Sequence, residues 1–211
     1  RRGKRVCAHA RSAESVKLCV RHGIEIIYHA SYADEEALDL LEANKDKHFV
    51  APAIAWLIMT ASNAGPYGVD PASPLAIKYK REAEIACETM RKMHKRGIRV
   101  LPGGDYGFAW IPHGTNARDL EYFVDRMGFS PMEAIVATTR YGGEIMGMAG
   151  ELGQVKEGYL ADLILVDGDP VANIRILQDR SRFLFIMKDG QFHKAPDLTP
   201  QRARYGLGVV A

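Results

Sequence analysis

Three side chains suited to binding a metal ion each follow a short apolar stretch. His9 ends the sequence VCAH, His29 ends EIIYH, and Asp105 follows LPGG. Two imidazoles and one carboxylate are ligands that a catalytic zinc-type site uses, with a position left for water. Taken singly, a histidine is more often a hydrogen-bonded core residue, and an aspartate after two glycines is a common turn former. The three together predict a metal site.

The segment between the two histidines has the pattern of a strand, a helix and a second strand. Residues 4–9 and 24–29 are predicted strands, and residues 13–22 have helical spacing of apolar side chains that stops at Gly23. Such a return places two parallel strands side by side. We therefore expect His9 and His29 at equivalent carboxyl ends of neighbouring strands.

The same alternation continues to about residue 148. The pattern predicts a helix at 34–43, a buried strand with its loop at 49–59, a loop at 62–74, a helix at 74–95, a strand at 98–101, and helices at 118–127 and 130–146. About four strand-helix units follow from this reading. They predict an α/β fold with a parallel sheet.

The composition changes after Gly147. A turn-rich stretch at 153–158 precedes compact strand patterns at 161–166 and 183–188. We place a domain boundary near residue 149, which divides the chain into residues 1–148 and 149–211. The tail from Pro196 has little pattern.

Composition excludes several classes of protein. The 211 residues are 47% hydrophobic, which is enough for a sizeable core. Lys and Arg number 28 against 26 Asp and Glu, so charge gives no reason to expect nucleic acid or an anionic membrane as a partner. No apolar run approaches a membrane span, and no signal peptide is present at residue 1. Cys7, Cys19 and Cys87 show no paired spacing, which favours a reducing, cytoplasmic location.

Several motifs occur together and in order. They are VCAHA (6–10), IIYHASY (26–32), PGGD (102–105), HGTN (113–116) with DL (119–120), GFSPMEA (128–134) with AT (137–138), and GQVKEGYLADL (153–163) with DGDP (167–170). This series resembles the C-terminal half of metal-dependent amidohydrolases of the amidohydrolase superfamily, in the imidazolonepropionase-like and Xaa-Pro dipeptidase-like branch. The resemblance covers about residues 4–192.

The resemblance implies a fold. Residues 1–148 would form the second half of a (β/α)8 TIM-type barrel, and residues 149–211 the return strands of a small β-sandwich-like domain with a C-terminal tail. The family's paired histidines of the first strand and lysine of the fourth have no counterpart here. A missing N-terminal barrel half, in the same or a separate chain, is expected to complete the site and to cover the open sheet edge at 4–9. Family analogy also predicts a homo-oligomer.

The resemblance also implies a chemistry. His9, His29 and Asp105 would bind one or two divalent metal ions, zinc first among the candidates, with manganese and iron also compatible. Asp105 would take a proton from the attacking water and return it to the leaving nitrogen. The expected reaction is hydrolysis of a C–N amide or peptide bond in a small substrate, such as a dipeptide, an N-acyl amino acid or a cyclic amide.

Further residues have two interpretations each. Tyr32 could reach the substrate or the developing oxyanion, as the corresponding tyrosine does in this branch, or be an ordinary loop aromatic. His113 could line the substrate pocket or lie on a surface loop. An apolar substrate wall and packing of the loop on the barrel are equal alternatives for three aromatic residues, Tyr106, Phe108 and Trp110. Histidines 22, 48, 94 and 193 are left out of the site.

Two other functions stay open. A deaminase on the same scaffold would usually carry a glutamate three residues after the fifth-strand histidine, and this position is Ser12. A non-catalytic half-barrel or processing fragment would have no chemical need for His9, His29 and Asp105 together. The sequence therefore favours the hydrolase.

Overall fold

Three parallel strands form the sheet that carries the predicted ligands. In a computed structural model, which describes residues 3–195, these strands are β1 (Cys7–Ser12), β2 (Ile26–Tyr32) and β3 (Phe49–Ala51), in the order β1-β2-β3. A single parallel bridge from Val50 to Val100 adds the fourth strand position. The predicted run of parallel strands is confirmed.

Within residues 3–195, seven α-helices connect and cover these strands. They are α1 (Ala13–Arg21), α2 (Glu35–Ala43), α3 (Ile54–Asn63), α4 (Pro74–Lys95), α5 (Arg118–Met127), α6 (Pro131–Thr138) and α7 (Arg140–Ile145), and 3-10 turns span Gly65–Tyr67, Ile174–Gln178 and Arg180–Arg182. Side-chain caps fix four of the helix starts, at Ser12, Asp34, Ser73 and Ser130, where each oxygen accepts a backbone N–H of the first turn.

Several sequence expectations differ from the structure. The first strand was expected at 4–9 and lies at Cys7–Ser12, so His9 sits within it. The expected strand and loop at 49–59 is a three-residue strand followed by α3, because Pro52 cannot continue the ladder and Ala53 adopts a left-handed φ of 53° that turns the chain. A short apolar run does not distinguish a buried strand from a buried helix.

The third difference concerns the expected helix at 130–146, which breaks at Thr139 into α6 and α7. The backbone at Leu152 and Gly153 runs against this break. A Cβ at Gly143 would lie 2.3 Å from the Leu152 carbonyl oxygen, and a Cβ at Gly153 would lie 2.2 Å from that of Thr139. Only glycine fits at these two positions, and the crossing segment explains why the helix does not continue straight.

The main core lies between the sheet and its helices. Fully buried apolar side chains come from β2, α2, α3, α4 and α5, including Ile27, Leu38, Leu41, Leu57, Met90 and Phe123. Within the described residues β1 pairs with β2 alone, so its other edge is open as expected. Cys7 and His9 on that strand are exposed.

A separate antiparallel sheet follows. It consists of β4 (Leu163–Val166), β5 (Phe183–Lys188) and β6 (Gln191–Lys194), in the order β4-β5-β6. β6 was not expected from the sequence. It is joined to β5 by the two-residue turn Asp189–Gly190, with positive φ at both positions. The tail from Pro196 lies outside the described residues. Among the helices of residues 3–195, none has the length and apolarity to cross a membrane.

Candidate metal centre

The three predicted ligands meet at the carboxyl end of the parallel sheet. His29 Nε2 lies 2.9 Å from His9 Nδ1, with the two rings edge to face and their centroids 4.4 Å apart. Asp105 Oδ2 lies 3.9 Å from the same His29 nitrogen. Neighbouring ligand atoms of a tetrahedral zinc ion are about 3.4 Å apart, given metal–nitrogen bonds of about 2.1 Å. Shifts of about half an ångström would bring these atoms to that spacing.

An irregular backbone brings the two histidines together. The strand register pairs His9 with Tyr28, and His29 with Ala10, so the histidines are offset by one residue and not at equivalent positions as expected. Regular pleating would turn their side chains to opposite faces of the sheet. His29 (φ 74°) and Ala30 (φ 50°) adopt left-handed conformations that break the alternation. Such strained non-glycine residues are frequent at functional sites.

Asp105 is carried by a glycine loop that passes close to α3. Gly103 and Gly104 have φ of 139° and 104°, and Asp105 itself is left-handed at 56°. A Cβ at Gly104 would lie 2.8 Å from the Cβ of Ala53, so this position admits only glycine. The Ala53 amide donates to the Gly103 carbonyl at 3.0 Å. The loop is thereby fixed against the start of α3, and the Asp105 side chain stays 37% exposed.

Burial controls the protonation of the centre. The His29 side chain is only 2% exposed, and this burial lowers its pKa to about 4, helped by the positive charge of Arg11 and opposed by the negative charge of Asp105. His29 is therefore neutral at pH 7, the state in which imidazole binds a metal. Its Nδ1 is buried without a hydrogen-bond partner in the part of the chain that the structure describes.

The donor set fits a divalent metal ion but supplies only part of a site. Two imidazoles and a carboxylate suit zinc, manganese and iron alike. Residues 3–195 contain no group of three or more His, Cys, Asp or Glu side chains already arranged to hold a metal ion. The expected ligands from a first-strand histidine pair would be additional to these three.

Tyr32 lies beside α4. Its side chain is 40% exposed and borders a groove with Pro74, Ile77 and Glu82, among others. Burial, followed by the negative charge of Glu82, raises its pKa. Glu82 also forms an ion pair with Arg11 of β1, which connects Tyr32 to the strand of His9. A role of Tyr32 on the substrate stays a prediction.

The loop after Asp105 is mostly folded onto the barrel. His113 is exposed, and its ring packs on Gly107, where a Cβ would lie 2.7 Å from His113 Nε2. Trp110 donates from Nε1 to Thr60 Oγ1 at 3.0 Å. Phe108 stacks on Trp110 and stays 43% exposed, so of these side chains it is the one that presents an apolar face to solvent.

Asp119 accepts two hydrogen bonds from the loop that carries Asp105, a contact that the sequence did not predict. It is 1% exposed on α5; its Oδ2 accepts the Gly103 amide and its Oδ1 accepts the Tyr106 hydroxyl, both at 3.0 Å. Burial raises the pKa of this carboxyl to about 6, and the hydrogen bond from Tyr106 is the largest opposing effect. The sequence feature that could have indicated this contact is an acidic residue on the buried face of α5, beside Leu120 and Phe123.

Ser12 has a structural task. Its Oγ accepts the Ser15 amide at 3.2 Å and caps α1. The position at which a related deaminase would carry a glutamate therefore holds a helix cap and no acid.

Comparison with known proteins identifies the family of the chain. The model for the amidohydrolase family matches residues 1–193. The chain belongs to the amidohydrolase family. Ochratoxinase of Aspergillus niger is 29% identical over 201 residues, which are 95% of this chain and 40% of ochratoxinase.

Solved structures agree as well. A Xaa-Pro dipeptidase with methionine bound in its active site matches with a TM-score of 0.77 at 28% identity, over 92% of this chain and 45% of that one. A prolidase in complex with N-methylphosphonate-L-proline matches with a TM-score of 0.78 at 25% identity, over 90% and 45%. The α/β class, the half of a TIM-type barrel and the Xaa-Pro dipeptidase-like branch are thus confirmed. The chain spans less than half the length of these relatives, whose family is generally metal-dependent.

Proposed function

We propose that the complete protein containing this chain is a metal-dependent hydrolase of C–N amide or peptide bonds. The observation that carries the proposal is the convergence of His9, His29 and Asp105, with donor atoms 2.9 and 3.9 Å apart at the carboxyl end of a barrel sheet. Active sites of this fold lie at that end. Membership of the amidohydrolase family supports the reaction class.

The proposed roles of the three residues follow from their chemistry and their exposure to solvent. His9 and His29 would hold a divalent metal ion, which acts as a Lewis acid towards water and the scissile carbonyl when bound. Asp105 is more exposed than His29, so its carboxylate can receive the proton of the attacking water and pass it to the departing nitrogen. Burial, helped by the Arg11 charge, lowers the pKa of His29 and so keeps that ring neutral and its nitrogen lone pair free.

Several finer points belong to the same proposal. Zinc is the first candidate, with one or two ions per complete site. A second barrel half, in the same or another chain, would complete the site, because the outer edge of β1 is open within residues 3–195 and His9 is exposed there. A homo-oligomer and a cytoplasmic location are further proposals; the free state of Cys7, Cys19 and Cys87 supports the latter.

The substrate would be a small amide. Dipeptides, N-acyl amino acids and cyclic amides are the candidate classes. Relatives support the dipeptides: one Xaa-Pro dipeptidase contains methionine in its active site, and one prolidase holds N-methylphosphonate-L-proline. Tyr32 and His113 are proposed to contact the substrate from β2 and from the loop after Asp105.

A hydrolysis assay tests the proposal. The complete protein is treated with a chelator, reloaded with zinc, and assayed for free amine released from a panel of the three substrate classes. We expect activity to disappear with the metal and to return with it. Asp105→Asn should lower kcat by about 10³-fold, because general acid–base catalysis contributes about 10² to 10⁴.

A matched variant separates a specific effect from a general loss of charge. Asp46→Asn changes an exposed aspartate in the turn after α2 and should leave kcat within twofold. Full activity of Asp105→Asn, or of the chelated protein, would contradict the proposal. Release of ammonia without cleavage of the substrate backbone would support the deaminase instead.

A further inference from the structure

We propose that Asp119 is a positioning residue that holds the loop carrying Asp105 in its working conformation. The inference rests on the proposed function of Asp105 as ligand and proton carrier. Asp119 itself lies on α5, is buried, and directs both carboxylate oxygens into the loop. It acts on the reaction through Asp105 and not by touching the substrate.

The two hydrogen bonds of Asp119 bracket the acid. Oδ2 accepts the amide of Gly103, two residues before Asp105, and Oδ1 accepts the hydroxyl of Tyr106, the residue after it. Because one buried carboxylate accepts hydrogen bonds from Gly103 and from Tyr106, it fixes the position and direction of the segment between these two residues. Hydrogen bonds to an ionised acceptor are stronger than neutral ones.

A second contact holds the loop from the other side. The Gly103 carbonyl accepts the Ala53 amide at 3.0 Å, so both backbone groups of Gly103 are engaged, one by α5 and one by the start of α3. Gly104 packs directly on Ala53, where a Cβ would approach to 2.8 Å. The loop thus lies between two helices that belong to different strand-helix units.

The loop needs such support because its own residues do not define its shape. Gly103 and Gly104 have access to many backbone conformations, and Asp105 occupies a left-handed conformation that costs a non-glycine residue energy. A displacement of 1 Å at a reacting group reduces a rate by about 10²-fold. A buried carboxylate is also costly in itself, so apolar packing of α5 does not account for Asp119.

Hydrogen exchange and kinetics on the complete protein test the proposal. The variants are Asp119→Asn, which keeps the size but loses one acceptor, and the milder Tyr106→Phe, which removes one hydrogen bond only. Asp125→Asn is the control, since Asp125 lies on the same helix but pairs with Arg175 at the surface. Exchange of backbone amides is followed by mass spectrometry, and kcat and KM are measured on the best amide substrate.

We expect Asp119→Asn to speed exchange in the peptide covering 102–108 by at least tenfold while peptides from β2 and α4 are unchanged. Its kcat should fall about 30- to 100-fold with KM within twofold, and Tyr106→Phe should lower kcat about fivefold. Asp125→Asn should change neither. A merely structural role would speed exchange across the whole barrel half and would not separate kcat from KM.

Three results would overturn the proposal: uniform exchange in Asp119→Asn, unchanged exchange at 102–108, or an unchanged kcat in an active protein. If the wild-type protein hydrolyses none of the amides, the proposed function fails. The exchange pattern still decides whether Asp119 holds the loop. The two failures are therefore distinguishable.

Discussion

When the chain is divided at the proposed boundary near residue 149, the barrel part (residues 3–148) and the small sheet part (residues 149–195) differ in how much apolar surface they bury. The barrel part contains nearly all of the buried apolar side chains, whereas Ile174 is the one buried apolar residue after position 148 among the described residues. None of the residues in β4, β5 or β6 is fully buried. The barrel part has a core of its own, and the small sheet does not.

The small sheet exposes apolar side chains instead. Ile164, Leu165, Leu184 and Phe192 are each more than 40% exposed. An apolar cavity of about 560 Å³ also lies where β4 and β5 face α5 and α6. A sheet of three strands needs an apolar face, or packing against a helix, to be stable on its own. The comparison shows that the candidate site lies in the part of the molecule whose own buried core can hold the backbone in place.

The largest expected effect compares one substitution in both parts. Phe123→Ala removes a fully buried ring from the barrel core and should lower the free energy of unfolding by about 3 to 5 kcal/mol. Phe192→Ala removes a ring that is 52% exposed on β6 and should cost less than about 1 kcal/mol. Urea unfolding of the complete protein measures both. Equal costs would show that the small sheet has a core formed with residues outside 3–195.

The next effect is the opposite pH response of two carboxyl groups. The pKa of Asp119 in the barrel part is raised to about 6, so the folded state binds an extra proton between about pH 4 and 6, and stability falls as pH rises through that window. Asp119→Asn should remove this fall, which amounts to about 3 kcal/mol at about 1.4 kcal/mol per pKa unit.

Asp162 in the small sheet part provides the contrast. The Asp189 amide lowers the pKa of Asp162, so its contribution is present above the unfolded pKa and is lost as the solution becomes more acidic. Asp162→Asn should therefore weaken stability at neutral pH and not in acid. Urea midpoints measured from pH 3 to 7 give both slopes. Slopes of the same sign would contradict the comparison.

The smallest effect concerns non-glycine residues with a left-handed backbone conformation, which occur in both parts. Asp189, before Gly190, occupies a turn that favours this conformation, whereas Ala30 adopts it inside a strand. Ala30→Gly should raise stability by up to about 0.5 kcal/mol, since relief of strain slightly exceeds the entropic cost of glycine. Asp189→Ala should lower it by about 0.5 to 1 kcal/mol. Thermal midpoints resolve these differences, and a stabilised Asp189→Ala would be inconsistent with the turn.

Much of the fold could be predicted because it follows from repeated patterns. The strand-helix-strand return between His9 and His29 predicted their proximity, and α4 begins and ends at the predicted residues 74 and 95. Local backbone irregularities could not be predicted. The left-handed His29 and Ala53 follow no residue preference, because the surrounding packing imposes them. The contacts of Asp119 with the loop depend on tertiary packing, which one sequence does not display.

The attachment of the Gly103–Tyr106 loop to α5 has a consequence for protein engineering. Loops at the carboxyl end of barrel strands are the usual units for exchange between enzymes of this architecture. Here the loop is fastened to a side chain 16 residues further along the chain, from Gly103 to Asp119. A graft that ends at the apparent end of the loop would leave this anchor behind. The transferable unit is the whole segment 102–119, together with a small residue at the place where Ala53 meets Gly104.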